Sequence, residues 1–266
     1  MGNLQLCEKD LSMLKRLVDM EKMFGKEYLL GFFNRIGETL STSTEAFILG
    51  GGAMCFRGQK NGTKDLDIVF RGKLEAGVFA RCAKIVGFSR PKRLEGAYLM
   101  MKASEILEGA DGFRLDIFSK TVCDALSLSE SMIRRAEGLG KYGKLTVNLI
   151  SNEDIILFKG ITERARDVDD IAAVIRSSDI DWKIIMEECR SQSTMYSWYG
   201  MLYNKFSELE ERHGIKSPIM SRLLKLDREE LVRNAFERRL TRGSKRAEVI
   251  AELKKMGFTK KELEGL

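Results

Sequence analysis

The stretch Glu45–Arg71, EAFILGGGAMCFRGQKNGTKDLDIVFR, decides the reading of this chain. It opens as an apolar strand, turns on three consecutive glycines, and returns as a second strand carrying Asp65 and Asp67 two residues apart. Side chains alternate faces along a strand, so the two carboxylates point the same way, about 7 Å apart along the backbone. Leu66, Ile68 and Phe70 then point the other way, into a core. Two acids on one edge of a sheet beside a glycine turn suit a divalent metal that carries a nucleoside triphosphate.

Working outward, Phe113–Phe118 reads as a further strand in which Leu115 and Ile117 alternate with Asp116. On a strand next to Asp65 and Asp67, Asp116 completes a carboxylate triad. Two magnesium ions about 4 Å apart could bridge such acids, a triphosphate and an attacking hydroxyl. The chain offers oxygen ligands rather than a His or Cys set, which matches magnesium. Gly50, Gly51 and Gly52 leave room for backbone N–H groups and the following helix start to approach a phosphate.

The other elements read as follows. Residues 8–40 have helical periodicity with a break near Gly25, and residues 75–86 are helical. Tyr98–Lys102 reads as a strand, followed by a turn at Gly109–Gly112. Ser129–Glu137 reads as a short helix and Lys144–Leu149 as a last strand. Ser151 and Asp154 have capping-box spacing, and one helix is expected to run on to about Arg176. Leu157, Ile161, Ala165, Val168, Ala172 and Ile175 form its apolar stripe, with Lys159, Glu163, Arg166 and Asp170 opposite. From about Asp179 the pattern is all helical, and Pro218 marks a helix start. The tail ELKKMGFTKKELEGL resembles the Met-Gly-Phe loop of ubiquitin-binding helical modules, and reads either as a chance match or as a small helical hairpin.

The ordered set resembles the DNA polymerase beta-type nucleotidyltransferase superfamily: Leu49-Gly50-Gly51-Gly52, then Asp65-Leu66-Asp67, then Asp116. The later segment NLISNEDIILFKGITERARDVDDI resembles the minimal branch that includes relatives of abortive-infection toxins, where a helix of the form Lys, Arg, Asp-x-x-Asp closes the fold; Lys159, Arg166, Asp167 and Asp170 fit it. The resemblance covers roughly residues 45–176. It implies a mixed twisted sheet flanked by helices, and an all-helical part behind it. It further implies that Asp65, Asp67 and Asp116 hold two Mg2+ ions, that Asp116 helps deprotonate the acceptor hydroxyl, and that Gly50–Gly52, Lys159 and Arg166 bind the nucleotide. Many members carry Ser after the first glycine; here that position is Gly51, which leaves only backbone donors.

The expected organisation is a nucleotidyltransferase domain over residues 1–178, with the N-terminal helices packed on it, and a helical domain over 179–266. The expected reaction moves NMP from an NTP to a hydroxyl and releases pyrophosphate. Two other readings stay open: a catalytically silent nucleotide- or RNA-binding module with the same fold, and the toxin of a toxin–antitoxin pair with an antitoxin protein as partner.

Composition bounds these readings. At 266 residues the chain can bury a real core. Its 44% hydrophobic and 32% charged residues are those of a soluble globular protein. No apolar run approaches the roughly 20 residues of a membrane span, and the N-terminus lacks the order of a signal peptide. Five scattered cysteines without a C-x-x-C pair argue for reduced thiols in a cytoplasm and against a zinc site. His213 is the sole histidine, which excludes histidine-rich metal sites. The net charge is +6, and Arg233, Arg238, Arg239, Arg242, Lys245 and Arg246 face one acid, Glu237, within the run Arg233–Arg246. That run reads either as a charged helix face or as a patch for the phosphates of an RNA acceptor.

Overall fold

The computed structural model describes residues 22–92, 102–193, 197–260 and 262–264. The readings made for residues 8–21 and 98–101 lie outside them. Contacts divide the chain into two compact units, Met1–Ser151 and Asn152–Leu266. The division falls ahead of the 178/179 boundary drawn from the sequence, because the helix after Ser151 packs with those that follow it.

In the first unit, α1 (Lys26–Thr39) buries Leu29, Phe32, Phe33 and Ile36, a helical three-and-four spacing. Then come β1 (Thr44–Ile48), α2 (Gly50–Phe56), β2 (Asp65–Phe70), α3 (Lys73–Ile85), β3 (Glu105–Glu108) and β4 (Arg114–Ser119). Two-residue strands β5 (Thr121–Val122) and β6 (Leu126–Ser127), α4 (Glu130–Arg135), β7 (Glu137–Tyr142) and β8 (Leu145–Leu149) complete it. Among the described residues the strands form one eight-stranded sheet, in the order β6-β5-β4-β2-β1-β8-β7 with β3 also on β4. The sheet is mixed: β2–β4 and β1–β8 are parallel, whereas β1–β2, β3–β4 and β7–β8 are antiparallel. Both α1 and α3 pack on it. Phe79 of α3 meets Phe70 of β2 at 5.0 Å between ring centroids and Phe32 of α1 at 6.2 Å. Leu66, Ile68 and Phe70 are fully buried, as their alternation predicts.

Two strands differ from the sequence reading. The hairpin partner of β4 is Glu105–Glu108, joined to it through the turn at Gly109–Gly112. Glu137–Tyr142 is a strand where the sequence reading assigned only the end of a helix at Glu137, and it pairs with β8 through a bulge at Gly138/Gly140.

The second unit is helical: α5 (Asn152–Gly160), α6 (Asp167–Ser177), α7 (Trp182–Gln192), α8 (Tyr199–His213), α9 (Met220–Thr241) and α10 (Arg246–Lys255). The single helix expected over 151–176 is two helices, separated at residues 161–166. Ala165, placed on the apolar stripe, is exposed there, whereas Leu157, Ile161, Val168 and Ala172 are buried. Val232, Phe236, Val249, Leu253 and Leu263 form a small core between α9, α10 and the turn at 262–264, and Phe258 packs against it. No helix among the described residues is long and apolar enough to cross a membrane.

Candidate functional site

The acids come together because β2 and β4 run parallel in a register that sets Asp65 opposite Arg114, Leu66 opposite Leu115, and Asp67 opposite Asp116. Strand alternation then puts Asp65, Asp67, Arg114 and Asp116 on one sheet face, away from Phe70. Asp65 and Asp67 are half-buried and Asp116 is fully buried.

The glycine turn is tied to the same acids. Leu49, extended at the end of β1, donates its N–H to the Asp67 carbonyl at 3.0 Å. Gly50 follows with φ +48°, a left-handed conformation that glycine adopts without a Cβ clash. A Cβ at Gly50 would stand 2.9 Å from Asp67 Oδ2, so the absent side chain lets this carboxylate lie against the turn. The other two glycines serve packing: a Cβ at Gly51 would meet the Thr63 hydroxyl at 2.6 Å, and one at Gly52 would meet Leu66 and Ile48 methyls at 2.7 and 2.9 Å. The Thr63 hydroxyl in turn donates to the Asp65 carbonyl at 2.8 Å.

Arg114 was not singled out from the sequence, yet it is the cation that bridges two of these acids. Its Nη2 donates to Asp65 Oδ2 at 2.6 Å and its Nε to Asp116 Oδ1 at 3.2 Å. Three carboxylates and one guanidinium leave the face a formal charge of −2. The signal was present in Arg114-Leu115-Asp116: two residues apart on a strand, Arg114 must share the face of Asp116.

The donor set is all carboxylate oxygen, which fits a hard divalent cation such as Mg2+. As the side chains stand, no group of three or more His, Cys, Asp or Glu among the described residues is gathered tightly enough to hold an ion. Arg114 lies on the oxygens of Asp65 and Asp116 that a metal would need. The residues fit the metal in the chemistry of their donors and in sharing one sheet face.

Lys159 and Arg166 belong to the second unit. Lys159 is not on a solvated helix face as the stripe predicted. Its Nζ lies 2.9 Å from Asp167 Oδ1 and 2.5 Å from Asp170 Oδ2, and the Thr162 hydroxyl donates to Asp167 Oδ2 at 2.6 Å. Burial by itself would lower the Lys159 pKa, but the two carboxylates outweigh it and the net shift is upward. Burial would likewise raise that of Asp167; Lys159 and the Thr162 hydroxyl reverse the sign and hold it below the usual 3.8. Arg166 is exposed at the start of α6, where its carbonyl accepts from the N–H groups of Asp169 and Asp170.

A family model described as a nucleotidyltransferase of unknown function (DUF6036) matches residues 27–212. The chain belongs to this family. Membership agrees with the nucleotidyltransferase resemblance and supports a general role in nucleotidyl transfer. The matched segment runs from α1 into α8 and leaves α9 and α10, with the basic run, beyond it. No curated protein matches the chain.

Proposed function

We propose that this protein is a metal-dependent nucleotidyltransferase that moves NMP from an NTP to an acceptor hydroxyl and releases pyrophosphate. The observation that carries the reading is the register of β2 and β4, which pairs Asp67 with Asp116 beside Asp65 and the Gly50 turn, in a chain of a nucleotidyltransferase family. Asp65 and Asp67 would hold two Mg2+ ions, with Asp116 on the second. Bound there, the ions would supply charge neutralisation for the triphosphate and the leaving pyrophosphate.

The chain's own residues would do the rest. The N–H groups of the Gly50–Gly52 turn would donate to phosphate oxygens. Asp116 would accept the proton of the acceptor hydroxyl as its oxygen bonds to the α-phosphorus. The bond from that phosphorus to the β-phosphate bridging oxygen breaks, and pyrophosphate leaves with the electron pair. Lys159 contributes to this scheme through the fold, since both of its carboxylate partners lie within the second unit.

For the acceptor we propose RNA, held by the basic run. Arg233, Arg238, Arg242, Lys245 and Arg246 are exposed over the end of α9 and the start of α10, while Arg239 pairs with Glu252 at 2.7 Å. Incubation of the protein with each α-labelled NTP, magnesium and total cellular RNA tests the reading. Label is expected in RNA with release of pyrophosphate; label in protein instead would move the acceptor to another class.

One observation favours a second reading, a silent nucleotide-binding module: two of the three acids are already bridged by Arg114. Thermal shift separates the two. Stabilisation by an NTP that requires magnesium belongs to the enzyme, and stabilisation indifferent to magnesium belongs to the module.

A further inference from the structure

Three carboxylates on neighbouring strands repel one another, and this fold supplies its own cation to them. Arg114 meets Asp65 and Asp116 through two different nitrogens, a use of the planar guanidinium fork that a lysine cannot reproduce. The side chains of Arg114, Asp65 and Asp116 are only 17%, 23% and 1% exposed, so the bridge is sheltered from water. The guanidinium keeps its charge at any working pH, so these two contacts are released only when it moves.

We propose that Arg114 is a resident counter-ion that competes with divalent metal for Asp65 and Asp116, and yields when a triphosphate offers its guanidinium another anionic partner. The inference rests on the reading of these acids as the metal-binding face. Metal and nucleotide then bind with positive coupling. Metal alone has to displace Arg114 into water, whereas metal arriving with a triphosphate exchanges one charge-assisted pair for another.

The test is Mn2+ binding to the full chain, read by electron paramagnetic resonance of the free ion, with and without a non-hydrolysable NTP analogue. Wild type is expected to bind Mn2+ weakly alone and more tightly with the analogue. Arg114→Gln is expected to bind Mn2+ alone on the order of tenfold more tightly and to lose most of the gain from the analogue, a size typical of coupling between sites. Without metal its melting temperature should fall below that of wild type, and Mn2+ should restore more of it. Arg114→Lys keeps a charge without the fork, should fall between the two, and serves if the glutamine variant does not fold. Mn2+ binding that is sensitive to Asp67→Asn but equal in wild type and in both Arg114 variants would overturn the role of Arg114 alone. Absence of Mn2+ binding in every form, with and without the analogue, would overturn the metal face and this inference together.

Discussion

Two places in this molecule set one cation between two carboxylates, and they do different work. In the second unit Lys159 sits between Asp167 and Asp170, with the Thr162 hydroxyl on Asp167. The three side chains are 12% exposed or less, and the cluster spans the break between α5 and α6. In the first unit Arg114 sits between Asp65 and Asp116 at a half-buried sheet face, with a third acid, Asp67, against the left-handed Gly50. The lysine cluster encloses its charges and holds two helices together. The arginine face carries one more acid, part of it open to solvent. Under the proposed function the acids on the strands beside the glycine turn would take a cation from outside, whereas the enclosed triad is a staple.

The comparison can be broken from either side. Lys159→Met removes the cation from two buried carboxylates and should cost about 3–5 kcal/mol, read by urea denaturation. Asp65→Asn, which relieves acid crowding, should leave stability within about 1 kcal/mol; a larger loss there than at Lys159 would reverse the assignments. Within the glycine turn, Gly52→Ala drives a methyl into Leu66 and Ile48 and should cost about 1–3 kcal/mol. Gly50→Ala should cost about 1–2 kcal/mol for its left-handed backbone, and should depress nucleotidyl transfer more than Gly52→Ala does, because its methyl meets the Asp67 carboxylate.

The smallest expected effect is a pH dependence. The Asp167 carboxyl is held below 3.8, so its pairing stabilises the fold fully above that value and is lost as pH falls through the depressed folded value. Lys159 is raised above 10.5, so its share is present below that pH and is lost as pH rises through the raised value. In Lys159→Met the orphaned acids prefer to be protonated, so acid should narrow the stability gap between variant and wild type. A gap constant from neutral pH to pH 3 would show that the cluster is not the staple.

The acid strands were legible because DLDIVF and RLDIF alternate cleanly and end in buried residues, and Gly50–Gly52 marked the turn between β1 and β2. What was hidden has physical reasons. Glu137–Tyr142 carries two glycines and little apolar alternation; its place is set by pairing with β8, a long-range contact that local pattern does not report. Glu105–Glu108 is short and acidic, and it becomes a strand through β4. The apolar stripe over 151–176 continues through the break at 161–166, so periodicity alone joined two helices. The buried pairing of Lys159 was missed because the break that lets Asp167 and Asp170 fold back on it was not seen. Arg114 was passed over as a strand residue, although its spacing from Asp116 fixes its face.

The central claim is that the β2–β4 acids carry metal-dependent nucleotidyl transfer, and Asp67→Asn tests it most directly. The substitution keeps the shape of the side chain and removes the charge of a proposed metal ligand. Pyrophosphate release from labelled NTP with magnesium should fall on the order of a thousandfold or more, while the melting temperature stays close to that of wild type. A folded Asp67→Asn protein with full magnesium-dependent turnover would contradict the account.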